Sequence, residues 1–169
     1  MGAEISRAAL PATAVVAGRG QGAPLLLDEP LSFWGGYDSA RGSIVEAGHP
    51  QCGAGLAGRV LLMERAKGSS SSSSVLAEAI RNGTGPAAII MRERDLIIGL
   101  GCIVASELYG LHVPLAIVDE STWQALASIA RSGTGEVRID AAACGDCLLH
   151  IGATPTPGAP VHTPQQRQG

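Results

Sequence analysis

The chain has 169 residues, of which 46% are apolar, 16% charged and 3% aromatic. That length supports one domain with a sizeable core, and no apolar run approaches the ~20 residues of a membrane span. A net charge of −3 gives no electrostatic footing for nucleic acid or for an anionic membrane, so neither is expected as a partner.

In chain order, residues 1–12 carry little periodicity and are expected to form a flexible arm. They lack the continuous apolar stretch of a signal peptide. The four cysteines, Cys52, Cys102, Cys144 and Cys147, do not make a secreted disulfide framework, so a cytoplasmic location is expected. Short aliphatic runs between turn residues predict strands at Thr13–Ala17, Pro24–Leu27, Ser43–Glu46, Arg59–Met63, Ala87–Met91, Pro114–Val118, Glu136–Asp140 and Cys147–Ile151. Helical spacing predicts Ser72–Asn82, Gly99–Tyr109 and Ser121–Arg131. The first has Val75, Leu76, Ala79 and Ile80 on one face. The second is apolar nearly all round and is expected to be buried. Asp119 or Ser121 can cap the third. Thr154–Gly169 is rich in Pro, Thr, Gln and Gly, and residues 153–169 are expected to be a disordered tail.

The middle of the chain alternates strand and helix, which predicts parallel crossovers; the ends read as antiparallel. The expected fold is therefore α/β, a mixed β/β/α domain over residues 13–152 with a sheet or barrel-like core and about three helices.

Four stretches have the residue types for chemistry. The first is Gly68 followed by six serines, Ser69 to Ser74. Serine runs often form linkers, but this one joins an apolar strand directly to an amphipathic helix. A helix start offers free N–H groups and partial positive charge, which suit a carboxylate or phosphate. The early serines then hold an anion and one hydroxyl takes a proton. The alternative is that they only cap the helix and fill a tight turn. A serine base needs the helix dipole and extra donors to stabilise its alkoxide.

The second stretch, Asp28 to Asp38, concentrates Phe33, Trp34 and Tyr37 beside Gly35 and Gly36. It reads either as a loop meeting a ligand or partner, or as an aromatic plug over a barrel end. The third, Gly48-His49-Pro50-Gln51-Cys52, has too few ligands for structural zinc. Cys144-Gly145-Asp146-Cys147 reads as a hairpin with Gly-Asp at its tip. No metal site is therefore expected in this chain, and an autonomous metalloprotein built on Cys52, Cys144, Cys147 and His49 is disfavoured. In the fourth, Arg92-Glu93-Arg94-Asp95, an arginine either pairs with a carboxylate or belongs to a solvated loop.

Taken together, Pro30-Leu31-Ser32-Phe33-Trp34-Gly35-Gly36, Gly48-His49-Pro50, Gly68 through Leu76 and Glu107-Leu108-Tyr109-Gly110 resemble the small, swivelling-domain subunit of the aconitase X family. The resemblance covers residues 13–152 and leaves the tail outside. It implies a swivelling β/β/α domain and a hydro-lyase activity. It also implies a separate large subunit that holds an iron–sulfur cluster, with the active site between the two chains. The family's proton acceptor is the first serine after the loop glycine, which falls on Ser69. Gly68, Ser70 and Ser71 are then expected to bind a small carboxylate substrate, and Phe33, Trp34, Gly35, Gly36 and His49 to form a pocket or interface loop. Aconitase itself continues Gly-Ser-Ser with Arg-Glu-His; Ser71-Ser72-Ser73 stand here, so no arginine at that point can hold a carboxylate. The poly-serine form is similar to the bacterial cis-3-hydroxy-L-proline dehydratases, with archaeal phosphomevalonate dehydratase as the alternative within the class. A non-catalytic anion-binding swivel module is the alternative outside it.

Overall fold

A computed structural model describes residues 8–153 of the chain. Most of the expected arm and nearly all of the expected tail lie outside that range. The elements are β1 (Ala9–Val16), β2 (Gly18–Gly22), β3 (Pro24–Leu26), a helical turn α1 (Phe33–Gly36), β4 (Tyr37–Asp38), β5 (Ser43–Ile44), β6 (Val60–Leu62), α2 (Ser72–Arg81), β7 (Ala88–Met91), α3 (Leu96–Tyr109), β8 (Leu115–Ile117), α4 (Glu120–Ser132), β9 (Gly135–Ala141) and β10 (Gly145–Ala153).

Eight strands form one mixed sheet in the order β2-β9-β10-β1-β8-β7-β6-β3, and β4 and β5 make a separate small ribbon. Strands β3, β6, β7 and β8 run parallel, whereas β1, β2, β9 and β10 join by antiparallel pairing. The expected α/β fold with parallel crossovers in its middle is the observed one. The sheet curls into a nearly closed barrel.

Closure explains a strand that the sequence did not advertise. Gly18-Arg19-Gly20-Gln21-Gly22 has no apolar residue and poor strand propensity. A Cβ on Gly20 would lie 2.1 Å from the Ala87 carbonyl oxygen, and one on Gly22 would lie 2.1 Å from that of Gly58. The strand is made of glycine because its backbone presses on the far edge of the barrel.

Strand β1 corrects the expected arm, since it starts at Ala9 and pairs with β10 from Ala9↔His150 to Ala14↔Gly145. Pro11 is tolerated because β8 pairs only with Thr13–Val16, which leaves Pro11 on an open stretch of edge. The hairpin before β10 also differs from expectation. Gly145 and Asp146 already belong to β10, and the turn is Ala142-Ala143-Cys144. The expected strand Ser43–Glu46 shrinks to the two residues of β5.

The parallel strands are buried on both faces, and their residues alternate between two cores. Val60, Leu62, Ala88, Ile90 and Ala116 point into the barrel, where Trp123 and Leu126 of α4 close one end. Leu61, Met63, Ile89, Met91 and Leu115 point outward beneath α2 and α3. The Asp119 side chain accepts the Thr122 N–H at 2.8 Å and so caps α4. Asp95 caps α3 by accepting the N–H groups of Ile97 and Ile98, each at 2.9 Å, so that helix begins one turn earlier than expected. The expectation of a fully buried α3 is half right. Ile98, Cys102 and Ala105 are buried, but Leu96, Leu100 and Ile103 face outward and are exposed.

Leu62 is fully buried inside the barrel, so Leu62→Ala is expected to cost about 2–5 kcal/mol of stability, read as a lower urea midpoint at unchanged slope. Burial pushes the Cys102 thiol up to about 12, whereas Cys52 and Cys144 are exposed. Thiol labelling of the native chain at pH 8 should therefore spare Cys102 and reach it only after denaturation.

Candidate functional site

Each parallel strand delivers its following loop to one end of the sheet, where ligands of such folds gather. Strand β6 ends at Leu62 and leads through Glu64 to Gly68 and the serines. Gly68 has φ +96°, and a Cβ there would sit 2.1 Å from the Ser32 hydroxyl oxygen. No other residue allows both that backbone angle and that approach. The serine loop is thus pressed directly on the Pro30–Gly36 loop.

A hydrogen bond fastens the two loops: the Trp34 N–H donates to Ser72 Oγ at 3.0 Å. On the Trp34 side, the Ser32 hydroxyl donates to the Trp34 carbonyl at 2.9 Å. The aromatic loop is a kinked turn, with extended ψ at Trp34 and φ +77° at Gly35. The two readings of this loop divide between its residues. Phe33 is fully buried and meets Tyr37 edge-on at 5.6 Å, so it is the plug. Trp34 stands 60% exposed beside the serines. Tyr37 donates its hydroxyl to the Thr84 carbonyl, and burial pushes its pKa up.

Within the serine run the roles separate by position. Ser69 Oγ accepts the Ser71 N–H at 3.2 Å. The Ser72, Ser73 and Ser74 N–H groups donate to the carbonyls of Ser69, Ser70 and Ser71 at 3.0 to 3.2 Å, a tight first turn. The Ser73 hydroxyl donates to the Ser70 carbonyl at 2.9 Å. Ser72 and Ser73 are buried and serve the fold, whereas Ser69, Ser70 and Ser71 are exposed. Fewer free N–H groups remain than a bare helix start would offer. Among the described residues, only those of Ser69 and Ser70 within the run make no hydrogen bond.

His49 does not face this surface. It is buried, its Nε2–H donates to the Glu29 carbonyl at 3.0 Å and its Nδ1 accepts the Gln51 N–H at 3.0 Å. Both ring nitrogens are consumed in fixing the neutral tautomer and latching the loop behind the aromatic residues. Asp28 and Gln51 add a second latch, with Gln51 Nε2 donating to Asp28 Oδ2 at 2.7 Å.

Two residues absent from the sequence reading join the site. Lys67 Nζ pairs with Glu46 Oε1 at 2.6 Å, which places a cation immediately before Gly68. The other Glu46 oxygen lies 3.3 Å from where a Cβ on Gly36 would stand. Lys67 was detectable as the charge adjoining the loop glycine; Glu46 was hidden by its assignment to a strand. The Arg92 alternatives resolve into a salt-bridged position. Its guanidinium meets Glu64 at 3.3 Å and also Glu120, tying the loop after β6 to the start of α4.

No three His, Cys, Asp or Glu side chains converge on a metal position among the described residues. Cys102 is buried in α3, the Cys52 thiol points at the Ile44 carbonyl, and Cys144 points at that of Val15. These donors do not fit an iron–sulfur cluster. Among the described residues no helix is long and apolar enough to cross a membrane.

Comparison with known proteins gives these loops a context. Residues 9–144 match the model of the aconitase X swivel domain family. A cis-3-hydroxy-L-proline dehydratase of Pseudomonas aeruginosa is 44% identical over 106 residues, which is 63% of this chain and 18% of that protein. A phosphomevalonate dehydratase small subunit of Methanothermobacter thermautotrophicus is 42% identical over 88 residues, 52% of this chain and 67% of that one. The crystal structure of Thermococcus kodakaraensis aconitase X in its holo-form superposes with a TM-score of 0.67 at 28% identity, covering 83% of this chain and 98% of that chain. The chain thus spans less than a fifth of the Pseudomonas relative but nearly all of the Thermococcus chain it matches. With the family model matching residues 9–144 and the fold superposing on an aconitase X chain, the chain belongs to the aconitase X swivel domain family.

Proposed function

We propose that this chain is the small subunit of a two-chain hydro-lyase that dehydrates a 3-hydroxy acid, with cis-3-hydroxy-L-proline as substrate. The observation that carries the reading is Ser69, an exposed hydroxyl at the start of α2, held against the aromatic loop by Gly68. The Pseudomonas relative, named for that substrate, supports the choice over phosphomevalonate.

Dehydration removes a proton from the carbon beside the carboxylate and hydroxide from the next carbon. Ser69 Oγ takes the proton. It already accepts the Ser71 N–H, and the same bond stabilises charge on that oxygen as an alkoxide. The N-terminal end of α2 adds its partial positive charge. The Ser69 and Ser70 N–H groups and the Ser70 and Ser71 hydroxyls hold the substrate carboxylate, where negative charge grows as the proton leaves. Lys67 supplies a fixed cation beside them. Trp34 covers one flank and limits water.

Departure of the hydroxide needs an electrophile, and this chain's donors do not fit one. Aconitase X dehydratases are iron–sulfur enzymes; in our reading the cluster is carried by the large subunit. The chain alone is then inactive, and the site lies between the two subunits.

Ser69→Ala in the assembled enzyme should lower kcat by about 10²–10⁴-fold while assembly survives; near-normal turnover would sink the assignment. Gly68→Ala is expected to cost about 1–3 kcal/mol in thermal stability and to lower turnover with it, because neither the backbone angle nor Ser32 gives way. Assay of the same complex with cis-3-hydroxy-L-proline and with phosphomevalonate decides the substrate; turnover of phosphomevalonate alone reverses our choice. A chain that binds small anions tightly but adds nothing to any large subunit is the non-catalytic module instead.

A further inference from the structure

Three chain segments meet at the start of α2: the aromatic loop, the stretch after β5 and the serine loop. One charged pair joins the last two. Lys67 Nζ lies 2.6 Å from Glu46 Oε1. Of the salt bridges among the described residues, this is the one with a member within two residues of Ser69. The backbone fixes Glu46 against the aromatic loop. The N–H groups of Val45 and Glu46 both donate to the Gly36 carbonyl, at 2.9 and 3.3 Å.

The pair is unevenly satisfied. Glu46 Oε2 is buried against Gly36 and makes no hydrogen bond among the described residues. The charge of the carboxylate is therefore met by Lys67 alone. The two side chains are 43% and 29% exposed, Lys67 first. Because Oε2 is covered, the exposure of Glu46 lies on Oε1 and the stem. A carboxylate oxygen accepts more than one donor, and an ammonium has three N–H groups to give. Each partner thus keeps capacity for a further bond. A ligand that drew Lys67 away and left Glu46 unpaired would strand a charge that already lacks one donor. A ligand bearing both signs does not.

Proton transfer to Ser69 sets where such charges lie. In an α-amino acid the carboxylate and the nitrogen are both bonded to the carbon that gives up the proton. The groups that recognise them must therefore stand close to the accepting hydroxyl. Lys67 and Glu46 offer a cation and an anion 2.6 Å apart, the complement of a zwitterion whose own charges are separated by one carbon.

We propose that Glu46 is the specificity-determining residue of the serine site. It accepts a hydrogen bond from the protonated ring nitrogen of a cyclic α-amino acid while Lys67 pairs with the carboxylate, so the pair selects zwitterions over substrates that are anionic throughout. The inference rests on the reading that Ser69 takes the proton beside the carboxylate. A polyanion such as phosphomevalonate meets Lys67 but is repelled by Glu46. If the pair were only a clamp between loops, ligand affinity would not depend on the charge of the ring atom.

Binding is read apart from turnover, by calorimetry on the chain assembled with its large subunit. One probe is L-proline, which has both charges and no hydroxyl to lose. The other is tetrahydrofuran-2-carboxylate, in which an ether oxygen replaces the ring nitrogen. The wild-type complex should bind L-proline about 10- to 100-fold more tightly. Glu46→Gln keeps the shape of the side chain and should bring the two affinities within about threefold, by weakening L-proline while the ether acid holds or tightens. Equal wild-type affinities overturn the proposal without any variant, and so does binding of neither probe. A preference that Glu46→Gln leaves intact overturns it, as does a loss that falls equally on both ligands. A complex with the Glu46-dependent preference that dehydrates no cis-3-hydroxy-L-proline upholds the recognition and removes the reaction. One that dehydrates it with the preference unchanged in Glu46→Gln keeps the reaction and removes the recognition.

Discussion

Three strands of three or four residues, β6, β7 and β8, are apolar on both faces, and everything else is arranged to cover them. A parallel strand of that kind is stable only when both sides are dry. The barrel supplies one cover, filled by small residues such as Ala12, Ala14, Ala88 and Ala116 and sealed by Trp123. Helices α2 and α3 supply the other. With a single phenylalanine in the chain, volume is met by bringing backbones close, and the glycines of β2 and Gly101 of α3 are where that closeness is greatest. The serine loop follows from the same geometry. It is the crossover that lifts the chain from the end of β6 to the start of α2, and its mouth opens where the sheet's carboxyl ends do.

Much of this was legible in the sequence because it is periodic or punctuated. Val60–Leu62, Ala88–Met91 and Leu115–Ile117 are short aliphatic runs bounded by turns, and α2 has a clear apolar face with Asn82-Gly83 at its end. What was not legible depends on contacts between distant residues. No local signal marks Gly18–Gly22 as a strand, since its glycines answer to Ala87 and Gly58. Residues 9–12 read as part of a flexible arm because the free edge that tolerates Pro11 is a property of the sheet. The start of α3 was missed although Asp95 announces it, because the apolar run after it has no face to time the helix by.

The site was legible unevenly for the same reason. Gly68 and Ser69 stand out by composition, and Trp34 by rarity. The bond from Trp34 to Ser72 spans 38 positions and has no trace in either motif. His49, assigned by the family resemblance to a pocket or interface loop, is a latch, which only its burial and its two hydrogen bonds reveal. Lys67 and Glu46 form their pair across 21 positions. Residue type nominated the neighbourhood, and tertiary contact assigned the work within it.

The bond between Trp34 and Ser72 has an optical consequence. The chain has two tryptophans, one 60% exposed at the serine loop and one 7% exposed at the barrel end. Their emission differs by environment alone, with the exposed indole red-shifted and open to aqueous quenchers. The inner one is a fixed internal standard. The outer one, tied through its own amide to the first turn of α2, is a native fluorophore whose colour follows the wetness of the loop, without any label being attached.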